Sequence, residues 1–183
     1  MEPLRLSLET YHNNILREIA EQLGVLDKAH DKRKATLVAL LVKEIPHRAT
    51  YRREIAALSE AERGTLALVL HQGGSATIAD LTMPLMLSGM VRLEDEKQTG
   101  DTRFPTFNEA VLSLLRQGLL VNVTPLTGTS TRRTFSPLYN LEIPPEVIKK
   151  LPQDLLRVPQ PDFKKHIMAP PTQGVSRSTE DAM

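Results

Sequence analysis

Two groups of basic residues carry the chemistry most worth weighing in this chain. The first is a run between two apolar-periodic segments, where Lys28, Lys32, Arg33 and Lys34 stand within seven positions. Ammonium and guanidinium groups beside the start of a helix suit an anion, because the free backbone N–H groups of the first turn point the same way. The second is the pair Arg132-Arg133, which follows the small-residue turn Gly128-Thr129-Ser130-Thr131. Small residues allow close approach, and paired arginines suit phosphate oxygens or a narrow groove. Between the two groups lies a polar helix face with Asn108, Ser113, Arg116 and Gln117, side chains able to donate to and accept from base edges. Glu109 on that helix opposes phosphate.

Other chemistries find no support in the residues. The chain has no Cys, which excludes thiolate nucleophiles, disulfides, thiolate zinc sites and iron–sulfur clusters. The five histidines, His12, His30, His47, His71 and His166, lack metal-site spacing and read as surface or helix-end positions. No G-x-S-x-G elbow, phosphate-loop or dinucleotide fingerprint occurs. Glu94-Asp95-Glu96 reads as a solvated acidic run, and Met83, Met86 and Met90 as core filling. No catalytic residue, cofactor, metal or small-molecule substrate is expected. No apolar run approaches the ~20 residues that span a bilayer, and the first residues turn polar too early for a signal peptide. A cytoplasmic location and no membrane partner are therefore expected.

The 183 residues suffice for one domain or two small ones, with 40% apolar residues, 4% aromatics and no Trp. The core must come from Leu, Ile, Val, Ala and Met, which favours helices. Net charge is +1: residues 1–57 carry ten Lys/Arg against eight Asp/Glu, residues 58–151 nine against ten, and the remainder four of each. This small excess weighs against tight nonspecific nucleic-acid binding, although it permits local basic patches.

The elements that must position these groups follow from periodicity. Residues 8–23 read as one amphipathic helix with Tyr11, Ile15, Ile19 and Leu23 every fourth residue, capped by Gly24. After a charged loop, residues 33–44 form a second helix stopped by Pro46. Residues 48–57 read as a linker or helix extension. Ser59-x-x-Glu62 and Thr106-x-x-Glu109 are capping boxes that open helices. Residues 75–87 give a short extended piece and a helix that Pro84 threatens to divide, and 88–105 an exposed acidic loop. Residues 119–124 and 132–138 form a two-strand ribbon. Pro144-Pro145 opens a last short helix, and residues 152–183 read as a flexible Pro-rich tail.

The expected fold is thus mainly α. Leu16-Arg17, Leu23-Gly24-Val25 and Lys34-x-x-Leu37-Val38-x-x-Leu41 resemble a SAP-type helix–loop–helix over residues 1–47. The loop is longer than usual and Arg33 stands where that motif has Gly. Residues 58–151 resemble a winged-helix domain with a small β-ribbon, in which residues 107–117 take the place of the recognition helix and Arg132-Arg133 lie in the wing. Leu58-Ser59, Glu62-Arg63, Gly73-Gly74, Glu109-Ala110, Gly118-Leu119-Leu120 and Ile143-Pro144-Pro145-Glu146-Val147 together resemble the N-terminal accessory region of bacterial and archaeal proteins related to the XPB-type DNA helicases. That resemblance implies a non-catalytic module, alone or at the front of a longer protein, that contacts DNA mainly at phosphates. No motor motif is present to carry ATPase activity. The alternative is a protein-interaction adaptor recruiting a helicase, nuclease or polymerase, suggested by the near-zero charge, the acidic insertion and the Pro-rich tail.

Overall fold

A computed structural model describes residues 2–92, 105–123 and 139–161. The described residues hold eight α-helices and three short strands: α1 (Glu2–Glu9), α2 (Asn13–Gln22), α3 (Lys34–Glu44), α4 (Tyr51–Ala57), α5 (Glu60–His71), β1 (Ser75–Thr77), α6 (Ile78–Leu87), α7 (Phe107–Arg116), β2 (Val121–Asn122), β3 (Asn140–Glu142) and α8 (Pro145–Ile148). The mainly helical class expected from composition is observed.

The first helix is not continuous. Thr10 folds back on Ser7, whose carbonyl accepts both the Thr10 N–H (3.1 Å) and hydroxyl (2.7 Å). The Tyr11 N–H donates to Leu8 O at 3.1 Å, and this three-residue spacing ends α1. The break turns the Tyr11 ring into the core, where its hydroxyl accepts the Asn122 N–H at 2.8 Å. His12 is extended (φ −69°, ψ 151°) and restarts the chain as α2. Gly24 caps α2 at φ +63°, as its position suggested.

Residues 51–57, within the stretch expected to be a linker or a helix extension, form helix α4 and belong to the core. Tyr51, Ile55 and Leu58 are spaced as one helical face and are all buried. The Tyr51 hydroxyl donates to the Ile45 carbonyl. Arg63 then ties α4 to α5 by donating to the carbonyls of Ala56 (3.2 Å) and Leu58 (2.7 Å).

The capping boxes at Ser59/Glu62 and Thr106/Glu109 both form, and a third forms at Thr77/Asp80. In each, the hydroxyl accepts the N3 backbone N–H while the N3 carboxylate accepts the N-cap N–H. Pro84 does not divide α6, which runs unbroken over its ten residues. The carbonyl four residues earlier, on Asp80, belongs to an exposed residue, so the missing donor leaves no buried acceptor there.

The sheet has three antiparallel strands in the order β1-β3-β2. Ala76 faces Leu141, and Leu141 faces Asn122, so the central strand places its apolar residue against the helices. The partner of β2 is therefore Asn140–Glu142, beyond the expected return strand; residues 124–138 lie outside the described residues. The expected loop after α6 begins inside the body, with Ser88 and Val91 buried. The Arg92 N–H donates to Pro105 O (3.2 Å), and the Phe107 N–H to Arg92 O (3.3 Å), so the two ends of the insertion meet.

One contiguous core runs from Leu4 to Leu151 through every helix from α1 to α8. The expected tail also joins it at first. Leu155, Leu156 and Val158 pack on the core, Pro159 is buried, and Asp154 accepts two bonds from Arg52 (3.0 and 2.6 Å). Residues 162–183 lie outside the described residues.

Candidate nucleic-acid interface

Helices α2 and α3 begin at the same end of the molecule. The loop between them doubles back from Gly24 through a tight turn at Leu26–Lys28, and the Asn13 side chain donates to Lys32 O at 3.1 Å. Two helix starts are thereby brought side by side. Neither has a side-chain cap bond, and neither has an acidic residue in its first turn. The starts of α5, α6 and α7 differ, each carrying a carboxylate in its capping box.

Lys32, Arg33 and Lys34 are all exposed at this edge, as the sequence suggested. Arg17 lies on the exposed side of α2, one turn beyond Asn13 and opposite buried Leu16, Ile19 and Ala20. Sequence reasoning did not select Arg17. Its only signal was a position one turn beyond Asn13, which gained meaning once Asn13 met Lys32. Lys28 is engaged elsewhere, with its ammonium 2.9 Å from the Glu44 carboxylate.

Asp31 is the anion within this edge. One carboxylate oxygen accepts the Arg33 N–H at 3.0 Å, and the other lies 3.4 Å from His30 Nε2. A bond from the Thr36 side chain, then the Arg33 N–H, hold its carboxyl below the usual carboxylate range.

The polar side chains expected on α7 have other neighbours. Arg116 Nε donates to the Glu18 carboxylate of α2 at 2.9 Å. The Gln117 amide donates to the Ser113 hydroxyl at 3.1 Å, while the Gln117 carbonyl accepts from Arg48. Asn108 is half-buried at the start of the helix. The C-terminal end of α7 thus lies against α2 and the segment before α4. A cleft of about 440 Å³ beside the Arg116–Glu18 pair is lined by Glu18, Glu21, Gln22 and Arg116. Arg132 and Arg133 lie outside the described residues.

Arg48 is the buried cation of this seam, its side chain only 7% exposed. It donates to Glu54 (3.1 Å) and to the Gln117 carbonyl, and its guanidinium carbon lies 5.7 Å from the Tyr51 ring centroid. Its Nε has no partner.

Among the described residues no group of His, Asp or Glu side chains could hold a metal ion, and no helix is long and apolar enough to cross a membrane. Comparison with protein-family models, curated proteins and solved structures returns no match to this chain.

Proposed function

We propose that this chain is a non-enzymatic DNA-binding accessory protein that holds the phosphate backbone at the shared start of α2 and α3. The carrying observation is the placement of exposed Lys32, Arg33 and Lys34 beside the start of α2, where two helix starts lack an acidic first turn and Arg17 is exposed one turn along α2. Clustered cations neutralise successive phosphates and release counterions, while the partial positive charge of the helix starts acts in the same direction. The side-by-side placement supports the SAP-like reading of the first unit.

The second unit supports a winged-helix reading. Its elements follow as α5, β1, α6, α7, β2, β3, with β3 between the other strands. In this reading Arg132 and Arg133 form a second phosphate contact in the wing. Because Arg116 and Gln117 engage α2 and Arg48, α7 serves as a packing helix, and binding is at the level of backbone rather than base sequence. The resemblance to the accessory region of XPB-type helicase-related proteins accords with this role.

The adaptor reading has its own observation. The outer side of α6 exposes Met83 (60%) and Leu87 (38%), and no charged residue occurs from Leu81 to Val91. An uncharged exposed stripe suits a protein contact.

The deciding experiment is anisotropy of a labelled duplex titrated with wild type and with Lys32→Glu/Arg33→Glu, at low and near-physiological salt. The reading requires micromolar binding that weakens with salt. It expects the variant to bind at least about tenfold more weakly, with a salt dependence shallower by up to ~0.9 per lost contact. Absence of wild-type binding at low salt rejects DNA in favour of the adaptor.

A further inference from the structure

Among the described residues three large apolar side chains are exposed: Leu6, Met83 and Leu87. Two of them stand one turn apart on the outer side of α6, where the stretch from Leu81 to Val91 carries no charge. A helix face left in water normally carries charged or polar side chains, so this stripe suits a cover. The chain itself returns to α6. Pro159 is buried, and Gly64 on α5 marks where it arrives. A Cβ on Gly64 would stand 3.1 Å from Pro159 Cγ, 3.2 Å from Leu85 Cδ2 and 2.6 Å from Met90 Sδ. The missing side chain therefore lets Pro159 seat beside the inner face of α6 and Met90 just past its end. Gln160 and Pro161 are exposed, and the sequence continues Asp162-Phe163-Lys164-Lys165-His166-Ile167-Met168, outside the described residues. Phe163 and Ile167 are four positions apart, the spacing of Met83 and Leu87.

We propose that residues 163–168 of this chain are the occupant of the exposed α6 face, with Phe163 and Ile167 laid on Met83 and Leu87. Reach permits it. Four residues separate Pro159 from Phe163, a span of up to ~13 Å, and a helix with its side chains is ~10–12 Å across. Phe163 can thus pass from the inner to the outer side of α6. The tether also favours it, because so short a link holds the segment at an effective concentration of about millimolar, against which a separate partner must compete. The chemistry matches: the Met83 thioether packs well on an aromatic ring. Lys164, Lys165 and His166 fall between the two apolar residues, so their charged ends stay in water while the face is covered. The inference is independent of the DNA reading. It makes the face on which the adaptor reading draws one that the chain closes by itself.

The chain has no Cys, so introduced pairs report proximity directly. The test compares Leu87→Cys/Lys164→Cys with Glu60→Cys/Lys164→Cys in the full chain under mild oxidation. Lys164 adjoins Phe163, so both apolar residues of the segment remain. Glu60 is exposed one turn before Gly64, so its pair shares the tether but lies off α6. A disulfide requires Cα atoms within about 7 Å. The Leu87 pair is expected to close within one chain at least about tenfold faster than the Glu60 pair, beyond what the tether alone supplies. A second readout keeps the native side chains in place. Met83 of the wild type is expected to be oxidised by dilute peroxide at least about threefold more slowly than Met83 of Phe163→Ser/Ile167→Ser, followed by peptide mass spectrometry. Equal closure of the two pairs, or equal Met83 oxidation in the two chains, overturns the inference and leaves the face to a separate partner. Disulfide-linked dimers of Leu87→Cys alone, forming as fast as the Leu87 pair closes, overturn it in favour of a second copy of the chain.

Discussion

Replacing Arg48 with methionine keeps most of the side-chain volume but deletes a cation on which three groups, from α4 and the end of α7, converge. The guanidinium reaches Glu54 on α4, the carbonyl of Gln117 at the end of α7, and the face of Tyr51. With the side chain 7% exposed, these bonds form away from bulk water. A hydrogen bond to a charged group contributes ~1.5–3 kcal/mol, and a partly desolvated cation–π contact ~1 kcal/mol. Two effects offset this. The Glu54 side chain is 32% exposed and keeps its 2.6 Å bond from the Thr50 hydroxyl, so it is not stranded. Methionine also removes the unpartnered Nε, a buried donor that itself costs about 1 kcal/mol or more. The net expectation is a loss of about 2 kcal/mol for Arg48→Met, and more for Arg48→Ala, which adds a cavity. With a urea dependence of about 2 kcal/mol per molar, the unfolding midpoint should fall by about 1 M. Chemical denaturation followed by far-UV circular dichroism gives this directly. A midpoint shift below about 0.3 M with unchanged slope refutes the reasoning. It would mean that the buried cation contributes no more than an exposed ion pair.

Two other perturbations probe the same body. Gly24 and Gly118 share φ +63°, but a Cβ on Gly24 meets nothing within 4 Å, whereas one on Gly118 meets Ile45 Cδ1 at 2.9 Å and Arg48 Nη2 at 3.2 Å. Gly24→Ala should cost about 1 kcal/mol from backbone strain alone, and Gly118→Ala about 2–4 kcal/mol, measured by denaturation; equal losses would refute the close approach. Burial raises the hydroxyl pKa of Tyr11, with Asn122 as a smaller opposing influence, and lifts that of Tyr51 to about 12. Both folded values exceed the unfolded value, so this stability is intact below pH 10 and is lost as pH rises through the folded values. For Tyr11 the slope approaches ~1.4 kcal/mol per pH unit. Tyr11→Phe should flatten the loss between pH 10 and 12 while lowering stability at neutral pH, because the Asn122 N–H loses its acceptor; an unaltered alkaline profile would show that Tyr11 is not desolvated.

The sequence by itself determined what depends on a few neighbouring residues. Ser59 with Glu62, and Thr106 with Glu109, mark helix starts because a capping box closes within three positions. Gly24 and Gly118 mark helix ends because only glycine takes a left-handed backbone without strain. The apolar faces of α5 and α7, and the cations Lys32, Arg33 and Lys34, were legible for the same reason. Tertiary structure decided every relation between distant positions. The break after α1 places the Tyr11 hydroxyl against Asn122, 111 residues away. Arg116 faces Glu18 across 98 residues, Arg52 faces Asp154 across 102, and Arg48 meets Gln117 across 69. No periodicity encodes such partners, since they arise only when helices pack and bring exposed ends together. Lys32, Arg33 and Lys34 come beside the start of α2 for that reason: α2 and α3 start side by side because their leucines share one core.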